Sequence, residues 1–346
     1  MVTIVSSKAF MMMHKPWYEH PENPRRIAMI INAIEETGYD VQWEEYVQDQ
    51  EDGLKIAERI HARGYIDYLR RMKNKAPCEL DPDTYFVGDT LDLALFALKV
   101  SYEASVRVRR SSGNYLILLR PPGHHAGRAG KAMGAPTRGF CILNNAAAAV
   151  IGFIEQGYRR IVVLDVDIHC GNGTEEIFYG RNDVLNIDIH RDPADFYPFT
   201  CFPEQIGKSR GEGYVVNLLL PSGAGDDIFL ELIESVETLI TSYSPEALVV
   251  SLGLDGYLGD GLSDARLTGV SYHAVGSLIR KLGLPAVILL EGGYSRGLEY
   301  GINAFLDGIS GRKTMFKRKT TTPVFLLKEY LGIARDIIRR IRWLEK

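Results

Sequence analysis

The chain has 346 residues, 46% of them hydrophobic, and a formal net charge of –4. That length suits one large α/β domain with a short extension as well as two domains, and the apolar share is enough for a full core. The mild acidity carries no nucleic-acid signature, and the longest apolar run, around Ala146–Ile154, falls far short of the roughly 20 residues that span a bilayer. The N-terminus has no basic segment followed by a sustained apolar core, so a cytoplasmic protein is expected. Its four cysteines (Cys78, Cys141, Cys170 and Cys201) lack CxxC spacing, and free thiols in a reducing compartment are expected.

In chain order, the first predicted strand is Thr3–Ser6, followed by the loop His20-Pro-Glu-Asn-Pro-Arg25. A helix is predicted over Leu91–Val108 and a strand over Tyr115–Leu119, which leads into Arg120-Pro-Pro-Gly-His-His125. A helix over Asn144–Gln156 precedes a strand over Ile161–Val166. The strand Val184–Ile189 runs into His190. After a helix over Asp226–Ser242, the strand Ala247–Ser251 leads to Leu254-Asp255. A helix over Thr268–Leu282 precedes the strand Ala286–Leu290, which runs into Glu291-Gly-Gly-Tyr294, and a further helix covers Leu298–Leu306. Strands alternating with helices predict a mostly parallel sheet covered on both faces. Polar groups then gather at the carboxyl ends of the strands, where open parallel sheets place their sites.

The densest cluster is Asp165-Val-Asp-Ile-His169. Alternation along an extended chain turns Asp165, Asp167 and His169 to one side, with no Lys or Arg among them. Two carboxylates held together away from water call for a compensating cation, and Asp plus His donors suit zinc or iron. The plainer reading is a buried strand end with hydrogen-bonded acids. Asp255 can be a third ligand, or simply a turn cap before Gly256. Two ligands from one segment and one from another would leave a coordination position open, as catalytic zinc sites do. His124 and His125 can act as an acid/base pair, or be two surface loop histidines. Tyr294, after two glycines, can donate to a developing oxyanion, or be a rim tyrosine. His14, His20, His61, His190 and His273 have weaker cases, and His61 and His273 lie in helical patterns.

Together these segments resemble the histone deacetylase superfamily, and most closely its acetylpolyamine amidohydrolase and class II-like prokaryotic branches. The matching stretches are His20–Arg25, Asp81-Pro-Asp-Thr-Tyr85, Arg120–His125, Gly139-Phe-Cys-Ile-Leu-Asn-Asn145, Asp165–His169 with Gly171-Asn-Gly-Thr174, Leu254-Asp-Gly256, and Leu290–Tyr294. They occur in the family's order. The resemblance implies an arginase-like three-layer α/β/α fold with a mostly parallel sheet of about eight strands, over a catalytic domain 1–310. It implies zinc, or iron, on Asp167, His169 and Asp255, with His124, His125 and Tyr294 catalytic. Asp165 would support His124 and, with Asp188, a potassium or sodium ion; Asn172 would orient His125. Gly139, Phe140, Tyr197 and Leu262 would border a narrow substrate channel. The implied reaction is hydrolysis of an acetylpolyamine or acetyl-lysine amide by metal-activated water, giving acetate and a free amine. His125 takes the water proton, Tyr294 stabilises the oxyanion, and a protonated histidine of the pair donates to the leaving amine.

The chain departs from the family pattern at a few places. Cys170 replaces a frequent second histidine, with little expected consequence. Asp188 stands where Ser is usual, Asn172 where other branches carry Asp, and Leu262 where a polyamine-selective member carries an acid. The glycine-rich stretch Gly127–Arg138 is expected near the channel mouth. Two rival functions are a binuclear ureohydrolase, which needs more Asp and His ligands, and an acyl-amine or acyl-lysine binding protein, which does not need the full set of six.

Residues 311–346 carry 11 Lys/Arg against 3 Asp/Glu, a net of +8 that leaves the rest of the chain at –12. Pro323–Lys346 reads as an amphipathic helix. Leu327, Leu331, Ala334, Ile338 and Ile341 form its apolar stripe, and Lys328, Arg335, Arg339, Arg340 and Arg342 form the opposite face. It is expected to dock on the main domain or on a second subunit of a homo-oligomer. The sharper alternative is an anionic membrane surface or nucleic acid.

Overall fold

The computed structural model describes residues 2–341 apart from 49, 112, 317 and 318. Ten strands are present among them. β1 (Val2–Ser6) and β2 (Val41–Trp43) come first, and β3 (Cys78–Asp81) and β4 (Thr84–Phe86) form a separate antiparallel hairpin. β5 (Asn114–Leu118), β6 (Ile161–Asp165), β7 (Val184–Arg191), β8 (Val215–Leu220), β9 (Ala247–Leu252) and β10 (Ala286–Leu290) follow. The main sheet has eight strands in the order β2-β1-β5-β10-β9-β6-β7-β8, and every pairing in it is parallel.

The central strands read as Val/Ile/Leu runs because both of their faces are covered. Every residue of β6, β9 and β10 is buried. The helices Thr90–Ser111 and Asn145–Glu155 pack on each other against the middle strands, while Asp226–Tyr243, Gly269–Leu282 and Ile302–Ser310 form a second layer. Helix starts follow side-chain capping. The Asn144 side chain accepts from the Ala147 amide at 2.8 Å, and the Thr268 hydroxyl from the Val270 amide at 3.2 Å.

The predicted strands and helices are all present with ends shifted by a few residues, except that Leu298–Leu306 divides into a π-helical turn at Gly297–Gly301 and the helix Ile302–Ser310. β2, β8 and the β3–β4 hairpin were not anticipated. The expectation of four free thiols is corrected. Cys170 and Cys201, 31 positions apart, form a disulfide, leaving Cys78 and Cys141 free. The return of β7 brings the two together, which spacing along the chain does not reveal.

The basic extension folds back on the domain. Its helix, Val324–Arg339, lies over β8 and the helix Asp226–Tyr243. Ala334, Ile337 and Ile341 are buried, and the Tyr330 hydroxyl donates to Asp192 at 2.6 Å. Thr320 and Thr322 donate to Asp226 and Asp227 at the start of that neighbouring helix. Of the predicted stripe, Ala334 and Ile341 are buried and Leu327, Leu331 and Ile338 are half-buried against the chain's own core. Arg342 and the rest of 342–346 lie outside the described residues. No helix among the described residues is long and apolar enough to cross a membrane.

Candidate active site

Four adjacent strands at the middle of the sheet, β5, β10, β9 and β6, each deliver chemistry from the carboxyl end. The loop after β5 carries His124 and His125, and the one after β10 carries Tyr294. Asp255 follows β9, and Asp167 and His169 follow β6. All six line one pocket of about 150 Å³, together with Asp83, Pro122, Gly139, Phe140, Tyr197, Leu262 and Gly292.

Asp167, His169 and Asp255 have donor atoms mutually within 4.8 Å. The His169 imidazole Nδ1 lies 3.2 Å from Asp167 Oδ1 and 3.0 Å from Asp255 Oδ2. Backbone amides fix both carboxylates: Asp167 Oδ2 accepts from Gly292 at 2.8 Å, and Asp255 Oδ1 from Ile168 at 3.2 Å. A side chain at 292 would run into both carboxylates, so only glycine lets that amide approach. Both acids are buried. Burial and the neighbouring Asp167 charge push the Asp255 carboxyl above its usual range. Two like charges held away from water around one imidazole form a donor set that fits a divalent cation. Among the described residues this cluster brings together three donors, fewer than the larger Asp/His set of a two-metal centre.

The tandem histidines are both buried but differ in their supports. His124 Nδ1 donates to Asp165 Oδ2 at 3.0 Å. Burial works against its charge, yet Asp165, Asp167 and Glu291 carry this imidazole well above its ordinary value. His125 Nδ1 donates to the Asn172 side-chain oxygen at 2.7 Å. The Asn172 amide nitrogen in turn donates to the Ala132 carbonyl at 2.9 Å, which fixes which way that side chain faces. Burial and the charges of His124 and His169 hold His125 well below the usual histidine range. One ring thus retains a proton while the other offers a lone pair at Nε2.

Tyr294 faces the edge of Phe140 at 5.7 Å, and the Arg26 guanidinium lies 4.6 Å over its ring. Burial pushes its phenol well above the usual range, so it stays a donor. Arg26 also donates to the carbonyls of Glu291 and Gly293, holding the turn that aims Tyr294. Glu22 pairs with both Arg26 and Arg120, and Tyr85 donates to it at 2.9 Å. Glu22 from the His20–Arg25 motif, Arg26 and Arg120 therefore form a buried brace behind the site.

The remaining predicted positions fall as follows. Gly139 (φ +52°) lies against His125 and the Tyr197 hydroxyl, where a side chain would collide. Tyr197 meets His125 edge-on at 5.1 Å, and its hydroxyl donates to the Thr137 carbonyl at 3.1 Å. The stretch Gly127–Arg138 thus holds Asn172 and Tyr197 through the Ala132 and Thr137 carbonyls. Asp165 and Asp188 are cross-strand partners, both buried. Asp188 receives the Gly171 amide at 2.8 Å and lies 2.7 Å from His190 Nδ1, so His190 is turned away from the pocket. His14 is buried, stacked on Tyr85 at 4.1 Å. His61 bridges the Gly127 carbonyl and the Asn144 amide.

Sequence reasoning missed Asp83, which lines the pocket from the turn between β3 and β4, and Phe196, whose ring stacks on His169 at 4.9 Å. Asp83 lies inside a stretch already singled out and Phe196 is next to Tyr197, but neither spacing nor residue type distinguishes them. It also missed Glu291, whose carboxylate receives the Gly123 and His124 amides. Its position beside Tyr294 was the available signal.

A family model for the histone deacetylase domain matches residues 20–308. The chain is 41% identical over 304 residues to acetylpolyamine amidohydrolase 1 of Pseudomonas aeruginosa, covering 77% of this chain and 86% of that one. It is 38% identical over 325 residues to an uncharacterised protein of Methanocaldococcus jannaschii, covering 94% and 92% of the two chains. The crystal structure of the HDA15 HD domain superposes with a TM-score of 0.85 at 26% identity, over 99% of this chain and 98% of that one. With the parallel sheet and the pocket at its carboxyl edge, these matches establish that the chain belongs to the histone deacetylase family.

Proposed function

We propose that this member of an amide-hydrolysing family uses a single divalent metal to release acetate from N-acetylated small amines, with acetylpolyamines as its substrate class. The observation that carries the reading is the convergence of Asp167, His169 and Asp255 with His124, His125 and Tyr294 on one pocket. The similarity to the Pseudomonas aeruginosa acetylpolyamine amidohydrolase supports the amine class. Asp83 adds a carboxylate to the pocket wall that complements a cationic chain.

Zinc, or iron in its place, would be held by Asp167, His169 and Asp255, and when bound it supplies Lewis-acid polarisation of the amide carbonyl and a more acidic water. Asp165 and Asp188 would serve a sodium or potassium ion. His125, neutral and with Nδ1 engaged by Asn172, takes the proton of the attacking water at Nε2. The Tyr294 hydroxyl donates to the oxygen that becomes negative as the carbonyl carbon turns tetrahedral. His124, kept protonated by Asp165, contributes positive charge and stands as the proton source for the leaving nitrogen. Phe140 and Tyr197 exclude water from the acyl-amine chain.

The test is acetate release by zinc-loaded protein from equal amounts of an N-acetylated diamine and an acetyl-lysine peptide. The diamine is expected to turn over faster, and Tyr294→Phe is expected to cut turnover about 10²- to 10³-fold while substrate binding persists. Preference for the peptide would reassign the substrate class. No acetate from either would overturn the hydrolase reading.

A further inference from the structure

Just outside the pocket, the Cys170–Cys201 disulfide joins two segments that each contribute a residue to its lining, His169 and Tyr197. Cys170 directly follows His169. Cys201 ends the run Phe196–Cys201, whose Phe196 stacks on His169 and whose Tyr197 lies against both His125 and His169. A second path of contacts closes the same circuit. The Gly171 amide donates to Asp188, which pairs with His190, and His190 Nε2 donates to the Cys201 carbonyl at 3.2 Å. Within the run, Phe199 (φ +61°) and Cys201 (φ +73°) both adopt the left-handed conformation. Non-glycine residues stay there only where their surroundings over-determine them. Phe199 and Phe202 are exposed while Pro198, Thr200 and Cys201 are buried, so the segment covers the bond with one side open to solvent.

We propose that the Cys170–Cys201 bond is the positioning device for this wall of the channel, and that it sets affinity for the acyl-amine chain. The proposal rests on the reading of the pocket given above. The bond opens by thiol–disulfide exchange with a dithiol. One reductant thiolate attacks a cysteine sulfur and the S–S bond breaks, leaving a mixed disulfide. The second reductant thiol then displaces the other sulfur. Two electrons and two protons end on Cys170 and Cys201, and the reductant leaves as a cyclic disulfide. Both sulfurs are buried, so exchange requires the Phe196–Cys201 run to lift. The reduced wall then keeps the Phe196–His169 stacking and the His190, Tyr197 and Thr200 hydrogen bonds but loses the covalent tie between Cys201 and the residue after His169.

The full chain, purified without reductant, tests this in three readouts. Alkylation under denaturing, non-reducing conditions is expected to count two thiols, Cys78 and Cys141. Wild-type protein reduced with a dithiol, desalted and reloaded with zinc is expected to show KM for an N-acetylated diamine raised five- to twenty-fold, with kcat changed less than three-fold. Reoxidation should restore KM, and Cys201→Ser should reproduce the reduced state without responding to reductant. Chymotryptic cleavage after Phe199 should quicken at least ten-fold on reduction. That readout needs no turnover, so it tests the bond even if the oxidised protein releases no acetate and the functional reading fails. Four alkylated thiols in the purified protein would overturn the proposal, as would unchanged KM and cleavage after reduction. Binding of a second zinc equivalent that disappears in Cys201→Ser would also overturn it, assigning the two sulfurs and the buried Glu175 carboxylate to a metal instead.

Discussion

In the proposed mechanism, the two adjacent histidines divide their labour according to their partners, Asp165 and Asn172. A carboxylate partner stabilises a charged imidazole, and a carboxamide does so far less. Asp165, Asp167 and Glu291 hold the His124 ring well above the usual range against its burial, whereas burial and the charges of His124 and His169 hold His125 well below it, and its hydrogen bond to the Asn172 amide does not offset them. Asn172→Asp is expected to raise the His125 value. The base would then be protonated at higher pH, and the acidic limb of the kcat/KM profile should move toward alkaline pH by about one unit. A pH–rate profile of the variant checks this, and an unmoved acidic limb would remove His125 from the base role. At this scale much was legible. Asp167 and His169 stand close together as their spacing suggested, although the strand ends at Asp165 and the chain bends through 167–169, and the Gly-Gly before Tyr294 marked a close backbone approach. Cys170 was not legible, because its partner lies 31 positions away and is reached only through the fold.

Between elements, the short helix Asn172–Phe178 is tied to β8 through a buried acid. Glu175 receives the Asn217 side-chain amide at 3.1 Å, and burial, with the Asp188 charge adding to it, pushes its carboxyl up to about 8. The folded state therefore binds a proton that the unfolded chain releases near pH 4.5. The stabilisation is complete below that value and is lost as pH rises toward 8. Glu175→Gln should flatten this part of the stability profile and gain on the order of 3 kcal/mol relative to wild type at pH 8. Urea unfolding at pH 5 and pH 8 measures it, and parallel shifts of both proteins would refute it. The C-terminal helix adds a second case. Ile337 is buried against the domain, and Ile337→Ala should cost about 2–4 kcal/mol, read as a lower urea midpoint. An unchanged midpoint would mean that the helix does not dock in solution. The helix was visible in its three- and four-residue apolar spacing. β8 escaped because Asn217 interrupts its apolar run, and β2 because three residues carry almost no periodic signal.

For the whole molecule, alternating elements announced a parallel sheet, and the matched stretches in order announced the family. The strand order β2-β1-β5-β10-β9-β6-β7-β8 is another matter. β9 and β10 insert between β5 and β6, and no local pattern records a pairing between strands more than a hundred residues apart. That insertion is what makes the site: it brings Asp255 and Tyr294 between the histidines of β5 and the Asp167–His169 segment of β6. The central claim is that these residues form one metal-dependent hydrolytic centre. The direct measurement is acetate release from an N-acetylated diamine by protein stripped of metal with a chelator, shown still folded by circular dichroism, and titrated with zinc. No release without metal and full recovery at one zinc per chain are predicted; full activity in the stripped protein, or recovery only at two zinc per chain, would contradict the account.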